Sequence, residues 1–561
     1  MLLPVFENGR SFFSIYNPER EIDFFCDNEI FSKSGFFLIG GLGNAKHIKK
    51  LSEKYKNAFI LAVETNHESI NFLKTNFPEI EKLLSGNKNI SVCTIEELSS
   101  AIKNCYIPAV HNDFCFAGIT NWLTYNDGLK ERIKEIISAS LKSISSDYAT
   151  QAKFGKLWHN NIFSNLKTIS KNGVINCCIP KADNKKEAAV IGAGPTLDKT
   201  IDILKRNREK YFIFATDTAF PILVKNGLVP EVTVTIDGQN TSYHHFEGLS
   251  LKKTILAFCL SASPSVVKYA YEQNAVLFPF CDNHPLEHLV KNYTNAGAAF
   301  LPVIDCGAGT VLHAAASLAE KTGFKNISVF GADFGYSYGK AYAKGSYFDA
   351  VFSEKADRLH PVETKFSDLY YRLPLIKNGS CISTELLLGY RQAFYSYVEA
   401  LRAKGICVKI VQPEPACGES QQSGKAAVCE EPLGEPPAQT EAAYVHEGAL
   451  QTEEAPQNEE PAQTEKAFVH EGALQTEAAP QNEEPGQTEA TLKNEKSAQT
   501  EAANFSFSAF CDYFIEKLQK NDKNIDISML PYAAWAKENN KNADNIYIAA
   551  AEKAARVRGN P

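Results

Sequence analysis

The chain has 561 residues, 44% of them hydrophobic and 22% charged, with a formal net charge of -8. That length calls for two or three hydrophobic cores, and the composition is that of a soluble globular protein. The acidic balance and the lack of a basic stripe speak against nucleic acid as a partner. The 14 cysteines form no CxxC pair and fall mostly inside predicted elements, which argues against a disulfide framework or a zinc site. The first residues lack the basic start and apolar core of a secretory signal, and no run of 18 apolar residues occurs. A cytoplasmic protein without a membrane span is expected.

In chain order, GFFLIGGLG is an apolar run closing in glycines, NAKHIKKLSEKY has helical periodicity, and NAFILAVET is a second apolar run. With NISVCTIEE this predicts a small Rossmann-like domain over residues 1–110. Glu64 at the end of its second strand is placed to meet a ribose. No methyl-transfer motif follows, so a structural role for this domain is favoured. Residues 111–174 read as a helical connector.

From 175 to 413 apolar strands alternate with amphipathic helices: AAVIG, YFIFATD, VTVTID, TILAFCL, AVLFPF, FLPVID, ISVFGAD and ICVKIVQ are read as strands. This predicts an α/β domain built on a doubly wound, mainly parallel sheet. Around residue 413 the composition changes, and PAQTEAAYVHEGALQTEEAPQNEE recurs with a period of 24 residues, from Gln439 to Gln463 to Gln487. Such repeats offer too little apolar surface to offset chain entropy, so 414–504 is expected to be a disordered acidic linker. Residues 505–561 read as a small helical C-terminal unit.

The richest motif is AAVIGAGPTLDKT. Its strand ends at Gly192, Gly194 and Pro195 form a turn, and a helix begins near Thr196. Glycines there admit a ligand close to the backbone, and a helix start offers free amide donors to phosphate. Three further strands end in Asp217, Asp237 and Asp333, where this architecture binds nucleotides. A second glycine-rich turn, DCGAGTVLHAAA, contains Gly309 and Thr310, and a loop carries Tyr336 and Tyr342 six residues apart. Phenol donors of that kind suit a departing phosphate. His244 and His245 are adjacent on a loop and point apart, and the further ligands of a zinc site are not apparent.

The order IGAGPTLD, ATDTAF, TIDGQNTSYHHF, GAGTVLHAAASLA and GADFGYSYGKAYAKG resembles the motility accessory factor (Maf) glycosyltransferases, the MptE-like proteins that attach nonulosonic acids to flagellin. LIGGLGNAKHIKKL, AVETN and FGKLWHNNIFSNL resemble that family's N-terminal domain and connecting segment. The central domain is also similar to bacterial sialyltransferases with a GT-A-like fold. That resemblance implies a donor-nucleotide site at Gly192, Gly194, Pro195 and Thr196, continued by Asp217, Gly309 and Thr310. It implies Tyr336 and Tyr342 as the phosphate ligands; Asp237 and Asp333 count among the catalytic groups because a carboxylate near the acceptor hydroxyl can accept its proton.

The resemblance leaves the base open. Where the sialyltransferases carry a base His, this chain reads GSCISTELL, and Tyr342 stands where many motility-factor relatives have His. His360, Asp237 and Asp333 are the candidates. The implied reaction transfers a nonulosonic, sialic-acid-like sugar from a CMP-activated donor to Ser or Thr of flagellin, with inversion. No obligatory cofactor and no metal is expected, since no DxD motif lies near a strand end. The alternatives are an MptE-like 6-hydroxymethylpterin diphosphokinase using ATP and Mg²⁺, and a catalytically inactive flagellin-binding chaperone. The sequence leaves the oligomeric state open.

Overall fold

The computed structural model describes residues 11–411, apart from 112, 126–127, 171–173, 177–181, 183–184, 294–300, 308, 338–339, 355, 363, 367–370, 372–373 and 379–380, together with 502–504, 507–519 and 527–539. The acidic repeats lie outside the described residues.

The first sheet holds β1 (Ser34–Gly40), β2 (Phe59–Glu64), β3 (Ile90–Thr94) and β4 (Asp113–Gly118). All pair in parallel, in the order β3-β2-β1-β4. Helices over Lys46–Lys54, His67–Asn76 and Leu98–Cys105 connect these strands. Phe36, Phe37, Leu38 and Ile39 are all buried, the continuous apolar run expected of a strand covered on both faces. The fourth strand comes from beyond residue 110, so this sheet extends past the expected boundary into the segment read as helical connector. DFCFAG is short, and the strong helical period downstream masks it.

One 41-residue helix, Leu129–Ile169, follows. At 1.5 Å per residue it is about 60 Å long. Leu129, Ile133 and Ile144 join the core of the first sheet, while Ile162, Phe163 and Leu166 join the core of the second. The connector is a strut shared by both cores.

From Val174 onward the strands are β5 (Val174–Asn176), β6 (Glu187–Ile191), β7 (Tyr211–Thr216), β8 (Val232–Thr235), β9 (Ile255–Cys259), β10 (Val276–Phe280), β11 (Asn326–Phe330), β12 (Ile376–Asn378), β13 (Cys381–Ser383), β14 (Cys407–Ile410) and β15 (Ala502–Asn504). Seven of them form a parallel sheet in the order β10-β9-β8-β7-β6-β11-β14. The chain steps outward from β6 to β10, then returns to the other side of β6 at β11. The strand order therefore reverses between β6 and β11, and open α/β sheets bind ligands at such a reversal, beyond the carboxyl ends of the strands.

Three expectations change. FLPVID forms only an isolated bridge, Val303 with Cys281. Pro302 accepts a hydrogen bond from the Cys281 amide at 2.9 Å but has no N–H to return, which ends the ladder. The C-terminal helices, Phe507–Gln519 and Leu530–Glu538, do not stand apart: Phe510, Phe514 and Tyr532 belong to the core of the large sheet. Gly155 on the long helix is where the last helix docks, since a Cβ there would lie 1.7 Å from the Pro531 carbonyl oxygen. Ala502–Asn504, assigned from sequence to the linker, pairs antiparallel with β5. Among the described residues no helix is long and apolar enough to cross a membrane.

Candidate active site

The switch point is made of glycine on both sides. The Gly192 amide donates to Phe330 O at 2.8 Å and the Gly194 amide to Gly331 O at 3.0 Å, so the turns after β6 and β11 are zipped together. A Cβ on Gly192 would sit 2.6 Å from Gly331 O, and one on Gly194 would sit 2.6 Å from the Asp333 carboxyl carbon. Gly331, with φ of 63°, faces Gly192 in the same way. Only glycine allows this approach. Leu312 lies 3.2 Å from the Cβ position of Gly192. The helix capped by Thr310, whose hydroxyl accepts from the His313 amide at 3.3 Å, thus borders the same turn. Gly309, at φ of 88°, faces open space.

Asp333 closes the start of the helix Leu197–Arg206. The Thr196 amide donates to its Oδ2 at 2.8 Å, and the Thr196 hydroxyl donates to Oδ1. The carboxylate thus takes the place an external anion would occupy at a helix N-terminus. Burial raises its pKa and Asp198 adds to that, while the two Thr196 bonds oppose it. The next residue, Phe334, has φ of 47°, a left-handed backbone that is strained for a bulky side chain. Its carbonyl is held by the Ser383 hydroxyl at 2.9 Å.

Asp217 and Asp237 end the neighbouring strands β7 and β8. Asp217 is buried and accepts from the Thr218 amide at 2.7 Å, the Thr218 hydroxyl at 3.0 Å and the Thr235 hydroxyl at 2.8 Å. Asp237 accepts from the Gln239 amide at 2.9 Å. Burial raises its pKa, with Asp217 adding to the shift.

The tyrosine loop folds over these strand ends. The Ala343 amide donates to Ala193 O at 2.9 Å and the Lys344 amide to Asp198 at 2.8 Å, which pins the loop to the glycine turn. Tyr336 is tied by its backbone to Ile382 of β13. Burial pushes the Tyr342 phenol up to about 12, with Tyr336, Asp217 and Asp237 adding to the shift, so the four side chains share one electrostatic environment.

The structure therefore brings Gly192, Gly194, Pro195, Thr196, Asp217, Asp237, Asp333, Tyr336 and Tyr342 to one end of the sheet, with Gly309 and Thr310 at its border. His360 is exposed and pairs with Asp357 at 3.2 Å. Glu64 belongs to the small sheet, where it accepts from the Leu42 amide at 2.6 Å and from the Trp122 indole at 2.9 Å. The same indole lies on the glycine turn, 2.9 Å from the Cβ positions of Gly40 and Gly41. The first unit's switch point is thus packed with protein. Among the described residues no three His, Cys, Asp or Glu side chains group as metal ligands.

Two sets of residues escaped sequence reasoning. Asn161 and Asn165, on the long helix, hold the loops after β8 and β9: the Asn161 amide group donates to Gly238 O at 2.8 Å and Ser261 O at 3.0 Å, and that of Asn165 to Leu260 O and Ala262 O, both at 2.8 Å. Their spacing of four on a helix was the available signal. His245 is the second case. It is buried within reach of the Asp217 charge, while His244 is exposed, stacks on Tyr347 at 4.9 Å and pairs with Glu247 at 2.9 Å.

Residues 160–339, which carry the switch point and most of its lining, match the family model described as 6-hydroxymethylpterin diphosphokinase MptE-like. An uncharacterized protein of Treponema pallidum (strain Nichols) is 35% identical over 145 residues, 26% of this chain and 68% of that protein. A second uncharacterized protein of that strain is 30% identical over 203 residues, 34% of this chain and 71% of that protein. The chain belongs to the MptE-like family. The fold of this MptE-like protein is that of a solved Maf glycosyltransferase from Magnetospirillum magneticum AMB-1, with a TM-score of 0.52 and 12% identity over 99% of this chain and 85% of the other.

Proposed function

We propose that this MptE-like protein is a glycosyltransferase that takes a nonulosonic, sialic-acid-like sugar from a CMP-activated donor and places it on a Ser or Thr hydroxyl of flagellin, with inversion. The observation that carries the reading is the switch point itself. Glycine turns zipped together at the strand-order reversal, the Thr310 helix start with Gly309 facing open space, and two phenols meet at one end of a sheet with a Maf glycosyltransferase's fold.

In this reading Gly192, Gly194, Pro195 and Thr196 receive the nucleotide, bordered by Gly309 and Thr310. Asp217 and Asp237 line the donor, where carboxylates accept hydrogen bonds from sugar hydroxyls. Tyr336 and Tyr342 donate to the departing phosphate. A phenol is protonated at neutral pH, and burial, which pushes Tyr342 up to about 12, keeps it a donor well into the alkaline range. The leaving group departs as an anion, so positioning and donors aimed at the phosphate supply most of the rate. The reading needs no obligatory metal or cofactor.

A second reading, phosphoryl transfer from ATP to a pterin, is favoured by the match of residues 160–339 to the 6-hydroxymethylpterin diphosphokinase MptE-like family model. A thermal-shift series with CMP, a CMP-activated sugar, ATP with Mg²⁺ and S-adenosylmethionine separates the two. A ligand bound only by the folded state at about 100 times its Kd adds about 2.7 kcal/mol. Stabilisation by the cytidine nucleotides, lost in Asp237→Asn, is the expected result. Stabilisation by ATP with Mg²⁺ and by neither cytidine ligand would replace this reading with the second.

A further inference from the structure

We propose that His245 is the base that takes the proton from the acceptor hydroxyl. The assignment rests on glycosyl transfer being the reaction. His245 ends the short 3-10 turn Asn240–His245 that follows Asp237, and its neighbour Phe246 is anchored on Phe220, below the Asp217 turn, with ring centroids 5.5 Å apart. The imidazole is 7% exposed and its Nδ1 is buried without a hydrogen-bond partner. A polar atom left unsatisfied in that way costs free energy; His47 and His284 share the feature, and what sets His245 apart is its place beside Asp217 and the Tyr342 loop.

The ring stands in the same aromatic wall as the catalytic-loop phenol. Its centroid is 6.0 Å from Tyr347 and 6.1 Å from Phe348, and Phe348 stacks on Tyr342 at 5.1 Å. Tyr342 in turn interacts with Tyr336, Asp217 and Asp237. The groups that act on His245 are therefore the Asp217 carboxyl from the end of β7, His244 on its own turn, and the rings of Tyr347 and Phe348.

The rival bases fare worse. Asp333 is engaged twice by Thr196, Asp217 accepts three hydrogen bonds, His360 is exposed and pairs with Asp357, and Asp237, which accepts from the Gln239 amide, lines the donor in this reading. Burial holds the His245 imidazole below the usual histidine pKa, with His244 acting in the same direction and Asp217 against it. The ring is thus neutral and able to accept at neutral pH, while Asp217 favours the cation once it forms. In the step itself the acceptor oxygen bonds to the anomeric carbon, and the bond from that carbon to the nucleotide phosphate breaks. The phosphate keeps the electron pair, and the hydroxyl proton passes to His245.

The test compares wild type with His245→Gln and His245→Ala, using CMP for binding and a CMP-activated nonulosonic sugar with flagellin for transfer. Expected are an unchanged thermal shift with CMP and a transfer rate reduced about 10²- to 10⁴-fold. Added imidazole should partly restore His245→Ala. In wild type, kcat/KM should fall on acidification along a limb below about 6.5, the ordinary histidine value, and the variants should lose that limb. Wild type alone yields this profile if the variants fail to fold, and its absence would overturn the assignment. A variant that retains transfer within about threefold and keeps the limb would also overturn it while leaving glycosyl transfer intact. Failure of wild type itself to bind CMP or transfer the sugar would remove the glycosyltransferase reading and this assignment with it.

Discussion

At the scale of single residues, the switch point tolerates no added atoms. Gly194→Ala would drive a methyl group to 2.7 Å from the Gly331 carbonyl oxygen, a backbone atom that cannot swing away. The expected cost is about 1–3 kcal/mol, read as a lower urea midpoint with an unchanged slope, together with loss of the CMP-induced thermal shift. A variant as stable and as responsive as wild type would show that the two turns are not locked. Much of this site is legible in the sequence because its signals are local. Gly192 and Gly194 end an apolar run, and Asp217, Asp237 and Asp333 each follow one. His245 is harder to read, because what singles it out is burial beside Asp217 and a ring contact with Phe348, more than a hundred residues away. An adjacent histidine pair suggests metal chemistry, and only coordinates show that one ring faces out and the other in.

At the scale of elements, the long helix sets the geometry of the crevice from behind. Each of Asn161 and Asn165 bridges two carbonyls of the loops after β8 and β9, so the position of Asp237 depends on a helix outside the sheet. Asn161→Ala leaves the buried carbonyls of Gly238 and Ser261 without a donor, at a cost of about 1–3 kcal/mol. Transfer should fall more than stability alone explains. Denaturant unfolding paired with a transfer assay checks this, and a fall in stability with transfer intact at saturating donor would confine Asn161 to packing. Strands β6 to β11 are readable as apolar runs, whereas β4 is hidden by the helical period that follows it. The expected FLPVID strand fails at Pro302, where a missing N–H outweighs the apolar composition.

At the scale of the whole molecule, the C-terminal helices complete the core of the large sheet. Removal of residues 498–561 would uncover the Gly155 groove and the partners of Phe510, Phe514 and Tyr532. The truncated chain should aggregate or digest rapidly under conditions in which the full chain resists protease; equal resistance would refute the shared core. No local signal announces this docking, since the acidic repeats separate the helices from the sheet they cover.

Acid should also unfold the protein. Burial lowers His47 to about 4 and His284 to about 3, so the unfolded chain takes up protons first, and both contributions are full above about 6.5 and lost as pH falls. Glu287, raised by burial to about 7, acts in the opposite sense, since its contribution is present at low pH and lost as pH rises towards 7. His111, also lowered to about 4, acts with His47 and His284, and the three imidazoles outweigh Glu287 and the smaller upward shifts of Glu64, Asp237, Asp282 and Asp333, so Tm should decline between pH 6.5 and 4.5. A flat or rising Tm over that interval would contradict the burial of these rings.

β15 and the two terminal helices return to the body that the chain leaves after β14, so the repeat tract connects two points of one folded body. The entropy of closing a loop grows only with the logarithm of its length, so gaining or losing one 24-residue unit changes folding free energy by about a few tenths of a kcal/mol. A chain with one repeat unit more or fewer should therefore unfold at nearly the same denaturant concentration.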